Sequence, residues 1–214
     1  EIMCISNIDD CENKSLIFAT EKGLVKKTKL SDYQKIKQSG LRAIKIQDED
    51  NLCNVRVTKA DKDVLLCSSS GKIIRFDESD CRNMGRVSQG VKGIAIDQKE
   101  KIIGMEIIDD TVEILSITEN GYGKRTCASK YRKQSRGGKG ILAMRLNEKN
   151  GYIIDIEPVT DKDDLMIITN KGQVIRTKVS GISLMGRATQ GVRVIKLKED
   201  EKVVAVEKIV EPEN

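Results

Sequence analysis

Residues Gln134 to Gly140 read QSRGGKG, with the adjacent glycines Gly137 and Gly138 between Arg136 and Lys139. Arg132 and Lys133 stand just upstream, and no carboxylate is near. Glycines leave backbone N–H groups unshielded, and consecutive amides in a turn form an anion-binding concavity. Arg136 can grip a phosphate through two N–H groups, while Lys139 acts as a point charge. The competing reading of the glycines is a tight turn between strands. A P-loop is excluded: Lys133 stands where that motif needs its first glycine, and Gly140 follows Lys139 where it needs Ser or Thr. The chain has no histidine, so the commonest general base and metal ligand is missing. The six cysteines (Cys4, Cys11, Cys53, Cys67, Cys81, Cys127) form no Cys-x-x-Cys pair and read as small buried hydrophobes. Tyr33, Tyr122, Tyr131 and Tyr152 sit in repeat strands and loops, and Tyr122 and Tyr131 read as packing residues or phosphate contacts. Neither catalysis nor a metal or cofactor is expected of this chain.

The elements that must carry such a loop recur. GLRAIKI begins at Gly40, GVKGIAI at Gly90, GILAMRL at Gly140 and GVRVIKL at Gly191, at intervals of 50, 50 and 51 residues. A second series precedes it, with Gly23, Gly71, Gly121 and Gly172 each following a short apolar run and a polar triplet. That pattern predicts a β-hairpin whose glycine takes positive φ. An apolar strand after each cationic loop recurs as IMCIS, LCNVRV, IIGMEI, YIIDIE and VVAVEK. No segment has a sustained 3.6-residue period with caps, so little helix is expected. Short strands repeating every 50 residues predict an all-β fold of propeller-like blades. The four repeats run roughly over 1–50, 51–100, 101–150 and 151–214, within a single domain spanning 1–214. No apolar run reaches the ~20 residues of a membrane-spanning helix. The start at Glu1, without a signal peptide, suggests a piece cut from a longer chain.

Charge is segregated along this repeat. The segments 33–45, 81–95, 130–145 and 181–196 hold 16 Lys or Arg and neither Asp nor Glu. The candidate contacts in them are Arg42, Arg82, Arg86, Lys92, Arg132, Lys133, Arg136, Gly137, Gly138, Lys139, Arg187 and Arg193. The second hairpin strands add Lys26, Lys27, Lys72, Arg75, Lys124, Arg125, Arg176 and Lys178, again with no acid among them. Edge-protecting lysines explain any one repeat. Four repeats with one pattern point to a continuous basic band and a polyanion longer than one blade, duplex nucleic acid first. Aromatic residues are only 3% of the chain, which argues against single-strand stacking platforms. Few Asn or Gln pairs suit base edges, which favours phosphate contacts without sequence readout.

Several of these segments resemble one family. QSRGGKG resembles the seven-residue box Gln-Arg-Arg-Gly-Gly-Lys-Gly of the DNA gyrase A C-terminal domain, with Ser135 in place of a basic residue. NGYGKRT (120–126), MGRATQGV (185–192) and GKIIRFDESDCRNMG (71–85) are also similar to gyrase A segments, and the similarity runs over essentially the whole chain. The resemblance implies a β-pinwheel that wraps double-stranded DNA around a basic rim in support of negative supercoiling. It implies as partners the rest of gyrase A together with gyrase B, and a bacterial cytoplasmic, nucleoid-associated location with no membrane. ATP use and strand cleavage belong to other parts of that enzyme. The family box lies in the first blade, whereas the match here falls in the third repeat, so the chain reads as later blades of the domain. The corresponding C-terminal domain of topoisomerase IV is the alternative within the family. A propeller binding an acidic protein partner is the alternative outside it.

Overall fold

Every hairpin in the repeats closes in the same way. In the computed structural model, which describes residues 11–36 and 38–209, the hydroxyl that ends the first strand accepts the amide N–H four residues on. The pairs are Leu24 to Thr20 (3.2 Å), Lys72 to Ser68 (3.3 Å), Tyr122 to Thr118 (3.3 Å) and Gln173 to Thr169 (3.2 Å). The glycine between them bonds back to the same residue's carbonyl, from Gly23, Gly71, Gly121 and Gly172 at 2.9–3.0 Å. Their φ values are +82°, +82°, +76° and +76°, a region in which a side chain is strained. The polar triplet and glycine of the sequence therefore form one turn, built four times.

These turns join strands β1 (Ser15–Thr20) to β2 (Leu24–Lys29), β4 (Asp63–Ser68) to β5 (Lys72–Asp77), β8 (Glu113–Thr118) to β9 (Tyr122–Cys127), and β12 (Asp164–Thr169) to β13 (Val174–Lys178). A third, antiparallel strand lies outside the first of each pair: β3 (Leu52–Thr58), β7 (Ile102–Ile108), β11 (Ile153–Val159) and β15 (Val203–Ile209). The fourth strand is two residues long and comes from the repeat that follows. β6 (Val91–Lys92) pairs with β2, β10 (Ile141–Leu142) with β5, and β14 (Val192–Arg193) with β9. The sheet orders are β3-β1-β2-β6, β10-β5-β4-β7 and β11-β8-β9-β14, with a three-stranded β13-β12-β15. The sequence period made the hairpins visible. The bounds of the two-residue strands are not marked in the sequence, because two residues carry no alternation of their own. Helix among the described residues is confined to 3-10 turns at Leu30–Tyr33, Glu78–Asp80, Ala128–Lys130 and Val179–Gly181. The fold is all-β, as the repeats predict.

The chain divides into two compact units. Among the described residues, the first comprises 11–36, 38–67, 74–107 and 133–140, and the second 68–73, 108–132 and 141–209. The core of the first gathers Ile17, Val25, Val64, Leu66, Ile74, Phe76, Ile94 and Met105. That of the second gathers Leu115, Ile117, Leu165, Ile167, Ile182, Ile195 and Val206. The central strand β4 is buried along its whole length, which explains its unbroken apolar run, VLLC. The last sheet differs: Met166 and Val174 are exposed, whereas their equivalents Leu115, Leu65, Ile73 and Val25 are buried. The segments IMCIS and EPEN lie outside the described residues.

Candidate nucleic-acid interface

The second hairpin strands carry two kinds of cation, one ion-paired in every repeat and the other buried in two of the four. Four residues after the turn glycine stand Lys27, Arg75, Arg125 and Arg176, each ion-paired. Arg75 donates to Asp63 from Nε at 2.7 Å and from Nη2 at 2.5 Å. Arg125 reaches Glu113 at 2.7 Å, Asp161 at 2.5 Å and the Ile182 carbonyl at 2.7 Å. Arg176 donates to Asp164 at 2.6 Å. Asp63, Glu113 and Asp164 each begin the neighbouring strand, twelve residues before their arginine. The first repeat has Ser15 there, and Lys27 instead pairs with Glu78, which also accepts from Thr58. The expectation of acid-free hairpins is thus corrected. It holds along β2, β9 and β13 but not β5, which ends in Asp77, and carboxylates on neighbouring segments neutralise the cations, because strand neighbours are remote in sequence. Regular acids twelve residues upstream were the missed signal.

Three residues after the turn glycine, Lys26 and Lys124 are fully buried (0% exposed). The Lys26 amine donates to the carbonyls of Ala43, at 2.5 Å, and Arg86. That of Lys124 donates to Gly186 at 2.7 Å and to Arg187. Burial, and then the nearby Arg86 or Arg187 charge, lowers each amine from its ordinary 10.5 to about 8. Neither amine reaches a surface. Lys72 opens β5 half-buried, and Lys178 is exposed at the end of β13.

The loops behave differently. Arg42, Arg82, Lys92, Arg132 and Lys139 are exposed and make no ion pair among the described residues. Arg193 is exposed beside Tyr122, donating to its hydroxyl at 3.2 Å, with the Lys149 amine 5.6 Å from the ring centroid. The Arg193 hydrogen bond leads the effects that lower the Tyr122 hydroxyl below its usual range. Lys133 is exposed but tied to Asp63 at 2.9 Å, and that contact raises its amine. Arg136 folds onto its own unit, donating from Nε to the Asp80 carbonyl at 3.2 Å and from Nη1 to that of Lys92. Arg187 makes the equivalent contact, to the Leu142 carbonyl at 2.9 Å. Of the box glycines, Gly137 takes φ +84° and its N–H donates to Gly93 at 2.7 Å, so the turn reading accounts for that amide.

Within each unit the loops are bonded in series. In the first, the Lys45 N–H donates to Ser88 at 3.1 Å and that of Ala95 to Gly138 at 2.8 Å. In the second, the Arg145 N–H donates to Thr189 at 3.0 Å. Successive loops are thus held by backbone bonds, with the exposed cations on them.

Residues 14–59, 62–109, 113–160 and 163–209 match the family described as DNA gyrase C-terminal domain, beta-propeller. The DNA gyrase A protein of Staphylococcus aureus (strain MRSA252) is 43% identical over 204 residues, covering 94% of this chain. The chain spans only 23% of that relative, in its C-terminal domain and not its catalytic region. A solved C-terminal domain of DNA topoisomerase IV matches with TM-score 0.88 and 27% identity, over 94% of this chain and 64% of that one. A solved DNA gyrase A C-terminal domain matches with TM-score 0.86 and 25% identity, over 98% of this chain and 71% of that one. With four family matches laid end to end on four sheets closed by the same turn, the protein belongs to the DNA gyrase C-terminal domain family.

Proposed function

We propose that this chain binds double-stranded DNA by its phosphates, bends it along the loops, and does so without reading sequence. The observation that carries the reading is the set of exposed, unpaired cations on loops that carry no carboxylate and are bonded in series. Arg42, Lys92 and Arg193 recur at one position, two residues after the loop glycine, which suits a ligand whose charge repeats. Within a whole type II topoisomerase of the gyrase kind, the same contacts would wrap DNA in support of negative supercoiling. The rest of gyrase A and gyrase B would be the partners, in a bacterial cytoplasm at the nucleoid.

Titrating unrelated duplexes at several salt concentrations tests this. About six phosphate contacts predict a log–log slope of roughly −5, the same for each sequence. Salt-independent binding, or a strong preference for one sequence, would sink the proposal. Binding to an acidic protein but to no duplex would favour the interaction-propeller alternative. Wrapping is read separately, as a linking-number change on ligating a nicked circle with the protein bound.

A further inference from the structure

The residue three positions after a turn glycine lies under the loop of the following repeat, and its type changes with the loop. Lys26 lies under the loop with Met84-Gly85-Arg86, and Lys124 under that with Met185-Gly186-Arg187. Between them in sequence, Ile74 takes the position, and the loop above reads Gln134-Ser135-Arg136-Gly137-Gly138. A side-chain carbon on Gly138 would sit 3.6 Å from Ile74 Cδ1, so this loop rests on an apolar floor. It has no amine beneath it and is fastened by Arg136 to the Asp80 and Lys92 carbonyls.

Burying an ammonium is costly unless each of its hydrogen bonds is made. Lys26 and Lys124 are nevertheless buried in two repeats, and both donate to the main-chain carbonyl of the loop arginine, with the second bond going to Ala43 from Lys26 and to Gly186 from Lys124. A carbonyl held inward fixes its peptide plane, and with it the direction in which the arginine side chain leaves the backbone. We infer that Lys26 and Lys124 are positioning residues that set Arg86 and Arg187 for phosphate contact, and that floor residue and loop type form matched pairs. The inference about DNA rests on the function proposed above; the anchoring stands without it. Arg187 fits the role, because only one of its N–H groups is committed, to Leu142, and the others have no partner among the described residues.

The test uses the full 214-residue chain. The Arg145 N–H, bonded to Thr189, reports on the loop over Lys124 through hydrogen exchange. In Lys124→Met its exchange should accelerate about tenfold or more, the loss of a charge-assisted hydrogen bond. Duplex affinity should fall as in Arg187→Ala, and the two changes combined should cost no more than either alone. Additive losses on DNA would overturn the positioning role. Grafting Gln-Ser-Arg-Gly-Gly-Lys over residues 185–190 should restore Arg145 protection with Lys124→Ile but not with Lys124 retained. If the graft fares equally on both floors, or if Lys124→Met unfolds and the matched graft does not refold, the pairing is wrong. Lys26→Met, read at the Lys45 N–H bonded to Ser88, repeats the measurement in the first unit. Absence of duplex binding by the unmodified chain would remove the DNA reading, while the exchange rates would still decide the anchoring.

Discussion

At the scale of single residues, the cations divide by what they face, and mutation should separate the classes. Arg132→Ala or Lys139→Ala should leave stability within about 0.5 kcal/mol and lower the salt slope of duplex binding by roughly one per lost contact. Arg75→Met should instead cost about 3 kcal/mol in urea unfolding, because Asp63 is left buried with only Lys133 beside it. A large affinity loss without a stability loss in Arg75→Met would contradict this division. The buried amines add a pH signature. Both titrate near 8 when folded, against an ordinary 10.5, so between those values the unfolded chain holds more protons. Stability therefore rises with pH across that window, and the contribution is wholly lost below about 8. Around Lys26 the charged or titratable neighbours are Arg86, Asp32 and Tyr33, and beside Lys124 lies Arg187. From about pH 7 to about pH 9.5, below the raised Tyr33 titration, the unmodified chain should gain stability over the Lys26→Met/Lys124→Met double variant. Parallel unfolding curves would refute it.

At the scale of elements, the turn glycines separate conformation from packing. At Gly121 an added side-chain carbon would lie 2.9 Å from the Ile195 carbonyl oxygen and 2.7 Å from its Cγ2, whereas at Gly172 nothing lies within 4 Å. Both take φ +76°. Gly172→Ala should cost roughly 1–2 kcal/mol, the left-handed strain alone, and Gly121→Ala distinctly more. Equal losses in chemical denaturation would show that the approach of the Ile195 segment matters little. These turns were legible beforehand, since a hydroxyl, two polar residues and a glycine specify one local conformation. The hairpin strands were legible from their apolar runs. The ion pairs were not, because Asp63 and Arg75 meet only once β4 and β5 are in register. Nor was the inward course of Lys26 and Lys124, although Ile at the equivalent positions 74 and 175 marked that place as apolar. Arg136 misled for another reason: its composition says phosphate, and local geometry turns it onto main-chain carbonyls.

At the scale of the whole molecule, each of the first three repeats is completed by its successor. β14 pairs with β9 through Val192 opposite Gly123 and Arg193 opposite Tyr122, and the Val194 N–H donates to Gly121 at 2.9 Å. Such nearest-neighbour coupling should spread local damage one repeat backward. Val194→Pro removes that donor, so hydrogen exchange should rise in β9 and the turn at Gly121 as well as in the mutated repeat. Exchange confined to residues after 190 would show the repeats to be energetically separate.

The borrowed two-residue strands also set an order in time. A chain leaving the ribosome N-terminus first presents β1, β2 and β3 long before β6, so the first sheet waits for Lys92 before its fourth strand is filled. The sheet of β8, β9 and β11 likewise waits for Arg193. During synthesis the nascent chain therefore carries an open backbone edge that travels forward with the newest repeat, a moving site for chaperone capture or mispairing.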